Sequence, residues 1–267
     1  MMKVIDILEH FLSRSNWVDR TNTVDRVIIG DPEKKADRCL VTWMPGLAAV
    51  RQAITRRVEL IVCHEPTFYS HQTDRFDIHP ETTRIVFEKR DFINAHGLTI
   101  LRLHDTWDRW PEIGIPWAWG KFLELTGPPA AISADRYHHR YDIKPVALDE
   151  FARRVARKCA TIGEPIVQVT GDGRQLVSKI GVGTGCGCNL DAYCQIGCDC
   201  SIVCDDGSCY WAGIQMAKDR GHPVIRVNHG TSEEPGMVTL TKYINDNLDL
   251  GAEHLPHGCM FRLVAAD

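Results

Sequence analysis

Three short stretches place imidazole and carboxylate groups directly after an apolar run. LIVC is followed by His64 and Glu65. ILRL is followed by His104 and Asp105, with Asp108 close behind. VIRVN is followed by His229, with Glu233 four residues on. Imidazole with carboxylate is a donor set for zinc, iron, manganese and similar divalent ions. Taken singly, each histidine reads more simply as a hydrogen-bonded loop residue, and Asp108 and Glu233 read as solvated or helix-start charges. It is the threefold coincidence that points to one pocket. Adjacent residues of an extended strand point to opposite faces, and Pro66 keeps Glu65 extended. His64 and Glu65 therefore suit two neighbouring ions better than one, as in a carboxylate-bridged pair with ions ~3.5–4 Å apart. Glu233 is the expected bridge. Proline is tolerated only in a first helical turn, so Pro235 places Glu233 at or just before a helix start.

The elements that must hold these groups follow from periodicity and turn residues. Residues 2–13 read as an amphipathic helix and 25–31 and 38–43 as strands. A helix is expected at 45–57, a strand at LIVCHEP (60–66), a helix at 80–97 and a strand at 99–105. Strands alternating with helices imply a mostly parallel sheet flanked by helices, whose ligands lie outside the carboxyl ends of the strands. Residues 126–145 lack periodicity and read as a linker or an edge hairpin. A second α/β unit follows: a helix at 148–159, strands in IVQVTG, KIGVGTG and CDCSIVCDDG, a helix at 210–221, a strand at 223–230 and a helix at 236–248. The expected division is an N-terminal lobe, 1–125, and a C-terminal lobe, 126–267. The last strand and helix help to form a shared metal site at the strand ends between the lobes.

The 267 residues are 44% hydrophobic and 25% charged, with a formal net charge of −4, which suits a globular protein and not a nucleic-acid-binding one. No apolar run is long enough for a membrane helix. The start, MMKVIDILEH, carries Asp6 and Glu9 and does not read as a signal peptide. The expected location is the cytoplasm, with thiols reduced.

The chain resembles the NIF-three-like dinuclear metal-centre proteins, also labelled GTP cyclohydrolase I type-two-like. That family's His-His-Pro, His-Thr-Asn-Leu-Asp and Gly-His-x-x-[Ser/Thr]-Glu motifs correspond in order and spacing to HEP (64–66), HDTWD (104–108) and NHGTSE (228–233). The start, MKVIDIL with IIGDP, agrees as well. The resemblance implies metal ligands at His64, Glu65, Asp108, His229 and Glu233, two divalent ions per chain (Zn, Fe, Mn or Mg), and His104 as a pocket residue beside them. It further implies a two-lobed subunit and a ring-shaped homohexamer. Glu65 departs from the family's second histidine; a carboxylate there favours harder ions or weakens one metal position. Trp107 replaces a smaller apolar residue, which alters the pocket.

Seven of the eleven cysteines fall between Cys186 and Cys209, without a Cys-x-x-Cys pair. Zinc-finger and ferredoxin spacings are absent. These cysteines, like Cys63, read as core packing, with a thiol or metal role as the alternative. GVGTGCG (181–187) misses the dinucleotide and Walker A patterns and reads as a tight turn, with phosphate cradling as the alternative. Asp205 and Asp206 would line the same cleft.

The leading functional reading is a metal-dependent hydrolase of a small polar substrate, such as a nucleotide or phosphoester. In it two ions activate a water and His104 shuttles the proton. The alternatives are a non-enzymatic metal-binding ring serving as adaptor or regulator, and a thiol-based redox or metallochaperone module.

Overall fold

The computed structural model describes residues 1–71 and 80–264. The chain forms two compact units. One comprises Met1–Trp110 with Met237–His257, the other Pro111–Gly236 with Gly258–Asp267. The sequence reading places a single boundary at 125/126; here the chain re-enters the first unit near its end, because its last strand pairs there.

The first unit runs β1 (Met2–Lys3), α1 (Val4–Arg14), β2 (Arg26–Ile29), β3 (Lys35–Ala36), β4 (Arg38–Thr42), α2 (Leu47–Thr55), β5 (Leu60–Cys63), α3 (Pro80–Ala95), β6 (Thr99–Arg102) and α4 (Asp105–Asp108). The second contributes α5 (Ile115–Phe122), β7 (Ala131–Ile132), β8 (His139–Ala147), α6 (Leu148–Ala160), β9 (Gln168–Thr170), β10 (Leu176–Val182), α7 (Leu190–Gln195), β11 (Cys200–Cys204), α8 (Met216–Asp219) and β12 (Val224–Val227). Then come α9 (His229–Asn247) and β13 (Gly251–His254).

The five-stranded sheet of the first unit has the order β13-β4-β5-β6-β2. Its strands are parallel except β2, which runs antiparallel to β6. β5 is buried at every position, as a strand covered on both faces must be. Cys63 belongs to the core with Leu40, Val50, Ile61, Phe68 and Ile100. The expected alternation of strands and helices is therefore present, and α1 buries Val4, Ile7, Leu8 and Phe11 along one stripe.

The second unit carries a six-stranded mixed sheet in the order β7-β8-β10-β11-β12-β9. β10, β11 and β12 are parallel, and antiparallel strands close both edges. β7 and β8 form the edge hairpin expected within 126–145. α6 buries Leu148, Phe151, Ala152, Val155 and Cys159 against this sheet.

Two expected helices differ. Residues 210–221 form a π-helix, Tyr210–Gln215, before α8. The Ile214 N–H reaches back five residues to the Cys209 carbonyl, at 3.0 Å. None of those six residues is buried, so no core face selects the tighter α register. The last helix begins at His229, not 236, and Pro235 lies inside it. A proline there forfeits the bond to the Thr231 carbonyl, at a cost of ~3 kcal/mol in an ordinary helix. The start is set instead by the Asp205 carboxylate, which accepts from the His229 N–H at 2.9 Å. Glu233 thus sits one turn into the helix. Among the described residues, no helix is long and apolar enough to cross a membrane.

Candidate metal centre

In the first unit, β5 and β6 are parallel neighbours with Cys63 opposite Arg102. The residues that follow the two strands are therefore brought side by side. The His64 and His104 rings stack at 4.3 Å between centroids, 14° from parallel. The Asp108 carboxylate spans both: Oδ1 lies 3.3 Å from His64 Nε2 and Oδ2 lies 3.2 Å from His104 Nδ1. His64 Nδ1 faces the Leu103 carbonyl at 3.2 Å. A carbonyl only accepts, so the proton sits on Nδ1, and Nε2 turns its lone pair toward Asp108. Two acceptors facing each other in a buried site require a cation between them, a proton or a metal ion. His64 is fully buried and Asp108 is 5% exposed.

His104 carries carboxylates on both nitrogens. Nδ1 is 3.0 Å from Asp105 Oδ1, and Nε2 is 3.7 Å from Glu65 Oε1. Burial opposes its protonation, but Asp108, the Asp105 hydrogen bond and Glu65 together override burial and raise its pKa to about 9. Burial likewise opposes ionisation of Asp108, whose pKa is nevertheless held low by His104 and His64. Among the described residues of this unit, two overlapping sets offer ligand atoms within 4.8 Å of one another: His64, His104 and Asp108, and Glu65, His71 and His104. The donor chemistry fits a divalent ion.

Three residues of this site escape sequence reasoning. Asp25, 3% exposed, accepts from the N–H groups of His104, Asp105 and Thr106 at 2.5, 2.8 and 2.9 Å. It caps α4 and so fixes the segment bearing His104 and Asp108. Arg102, fully buried, donates from Nε to the His64 carbonyl at 2.9 Å and from a terminal nitrogen to the His71 carbonyl at 2.6 Å. A guanidinium nitrogen lies 3.6 Å from Glu65 Oε2, which partly neutralises that carboxylate. His71 Nδ1 lies 3.9 Å from the same oxygen. His71 follows His64 by seven positions with no strand to mark it. The arginine at the end of an apolar strand, TILR, is the one available signal.

In the second unit, the carboxyl ends of β10, β11 and β12 carry the glycine loop, Asp205-Asp206 and His229 respectively. His229 Nδ1 lies 2.8 Å from Asp206 Oδ2, and Nε2 lies 3.0 Å from Glu233 Oε2. His229 and Glu233 share one helix face, four residues apart. The glycine loop passes directly over them. At Gly185 (φ +61) an added Cβ would stand 2.6 Å from Glu233 Oε1 and 2.7 Å from His229 Nε2. Glycine is required there by both conformation and space. Asp205 and Asp206 do line this cluster.

The cysteines divide. Cys200 and Cys204 are buried, Cys188 and Cys198 are half-buried, and Cys186, Cys194 and Cys209 are exposed. Core packing therefore accounts for only part of the cluster. Cys194 lies on the outer side of α7, whose buried residues are Leu190 and Tyr193, and Cys186 and Cys209 lie between the longer elements, where no strand pattern gives an inward face.

A family model described as Duf34/NIF3 (NGG1p interacting factor 3) matches residues 2–257. Among solved structures, protein ybgI, of unknown function, superposes with a TM-score of 0.78 at 16% identity, covering 95% of this chain and 98% of that one. Staphylococcus aureus protein SA1388 gives 0.77 at 17%, covering 98% and 99%. A Bacillus cereus protein related to NIF3 gives 0.76 at 13%, covering 100% and 99%. These likenesses show a shared fold. Comparison with curated proteins finds no match.

Proposed function

The chain belongs to the Duf34/NIF3 family, and on that footing we propose that it is a divalent-metal-binding protein acting as a metal-dependent hydrolase on a small polar substrate, such as a nucleotide or phosphoester. The observation that carries this reading is the His64–Asp108–His104 arrangement. Its Leu103-held imidazole presents Nε2 to a buried carboxylate at 3.3 Å. The ligands are His64, Glu65, Asp108, His229 and Glu233, holding two ions per chain. Glu65, a carboxylate where the family motif has histidine, favours harder ions such as Mn²⁺ or Mg²⁺.

When bound, such ions supply charge stabilisation and an activated water. The chain's own residues do the rest. Asp105 and Asp108 hold the Nδ1 proton of His104 and fix its ring, so Nε2 is the atom that exchanges a proton with the reacting groups. Arg102 tethers the backbone at His64 and His71 and offsets the Glu65 charge. Asp206, at His229 Nδ1, orients the ring so that Nε2 faces the same side as the Glu233 carboxylate. On the same reading, the subunits assemble as a ring-shaped homohexamer, a state that light scattering reads directly.

Metal analysis of the purified protein tests the assignment. Close to two divalent ions per chain are expected, and an Asp108→Ala, Glu233→Ala double variant should lose them. Full metal retention by that variant would sink the ligand set. Turnover of nucleotides or phosphoesters that disappears with chelator supports the hydrolase. A metal-replete protein inactive across that panel argues for the adaptor role.

A further inference from the structure

The second unit contains a cavity of about 610 Å³ that none of the residues above uses. Small-molecule sites span roughly 300–1,000 Å³. Its walls include Trp117 and Lys121, one turn apart on α5, with Glu112 before that helix and Leu125 after it, and Tyr141 from β8.

Tyr141 is the informative wall. It is 3% exposed, yet among the described residues no hydrogen bond reaches its hydroxyl. What remains accessible of the residue includes the hydroxyl oxygen, which is not among the buried unpartnered atoms and is open to a donor or acceptor from outside the chain. Burial raises its pKa to about 12, so the hydroxyl stays protonated and able to donate. The ring rests against the α5 backbone at Gly120, where an added Cβ would stand 2.6 Å from the hydroxyl oxygen. Any larger residue at 120 would push the phenol out of this position. At the rim, Lys121 and Glu112 are exposed, and neither joins an ion pair among the described residues. Glu124, the other rim carboxylate, is already held by Lys158 at 3.0 Å.

The cavity thus offers an indole face, an accessible hydroxyl donor, one unengaged cation and one unengaged anion. The complement of that set is a zwitterion with a planar aromatic body ending in a hydrogen-bond acceptor. We propose that this cavity is a binding site for an aromatic amino acid of the tyrosine type. The ring lies against Trp117, the phenolic oxygen accepts from the Tyr141 hydroxyl, the carboxylate meets Lys121 and the ammonium meets Glu112. None of the residues lining this cavity is among those assigned to metal.

Calorimetric titration of the full-length protein with L-tyrosine, L-phenylalanine and tyramine tests this. L-Tyrosine is expected to bind ~3–10-fold more tightly than L-phenylalanine, the worth of one hydrogen bond. Tyramine, lacking the carboxylate, should be weaker by a similar factor. Tyr141→Phe removes one oxygen and no packing, and should erase the preference for tyrosine over phenylalanine. Lys121→Gln, at an exposed position, should erase the preference for tyrosine over tyramine. Either variant retaining the wild-type ratio overturns the assignment of that group. Absence of saturable L-tyrosine binding below ~1 mM overturns the proposal as a whole.

Discussion

Replacing Asp25 with alanine would remove the acceptor for three backbone N–H groups at once, those of His104, Asp105 and Thr106. Hydrogen bonds to a charged group contribute about 1.5–3 kcal/mol each, so the gross loss is ~5–9 kcal/mol. Part of this returns, because a buried carboxylate no longer has to be kept out of water, at several kcal/mol per ion. Burial is the leading influence on Asp25 and raises its pKa, so the charged form is the costlier one. The net expectation for Asp25→Ala is ~3–4 kcal/mol. At roughly 2–4 °C per kcal/mol for a chain of this size, Tm should fall by ~6–16 °C. Asp25→Asn keeps the Oδ1 acceptor, drops the charge and turns a donor toward the Thr106 N–H. It should cost only about 1 kcal/mol. Thermal unfolding of the two variants, followed by circular dichroism with metal content measured in parallel, reads both effects. Asp25→Ala should also lose metal, since the α4 segment carries His104 and Asp108. A Tm for Asp25→Ala within 2 °C of wild type, or an Asn variant as damaged as the Ala one, would refute the capping argument, with ~2 °C the smallest shift that ~1 kcal/mol gives.

Three further outcomes are expected. Native alkylation should label Cys186, Cys194 and Cys209, while Cys39 and Cys159, buried and with thiol pKa values pushed up to about 12, should react only on unfolding; mass spectrometry of labelled peptides reads the pattern. His139 is held neutral by burial, with nearby His138 and Arg136 adding to the effect and a backbone hydrogen bond opposing it; its pKa falls from 6.5 to about 4. The unfolded chain therefore takes up a proton that the native one refuses. Stability from this residue is complete above pH 6.5 and falls by about 3 kcal/mol as pH drops toward 4. His139→Phe should flatten that slope in denaturant titrations across this range. Arg57 closes α2 with φ 55, and its N–H and that of Val58 bond back to Ile54 and Ala53 at 3.0 and 2.9 Å. Glycine suits this position, so Arg57→Gly should raise stability by ~0.5–1 kcal/mol, and a lower Tm would contradict the strain assigned there.

The residues whose chemistry showed in the sequence were those standing directly after apolar runs. His64 and Glu65 follow β5, His104 follows β6 and His229 follows β12, as the strand patterns of LIVC, TILR and VIRV announce. The edge hairpin, the α/β alternation and the stripe of α1 were legible for the same reason: each is a periodicity within one segment. Asp25 was not legible, since nothing in TVDRV distinguishes a cap for a helix 79 residues on. Gly185 read as a turn because its other constraint, the His229–Glu233 pair, lies more than 40 residues further along the chain.

The start of α9 divides the two kinds of information most clearly. By local rules Pro235 forbids a helix reaching back to His229, and those rules are sound for an isolated segment. The helix nevertheless begins there, because Asp205, just past the end of β11, caps His229 and Glu233 pairs with its ring. Donor types, strand ends and amphipathic faces were set by neighbours in sequence, whose contacts cost little chain entropy. The caps, the buried Arg102 beside Glu65 and the glycine over His229 depend on segments far apart in the chain. Only packing of the whole sheet brings those groups within hydrogen-bond range, so only the tertiary structure could decide them.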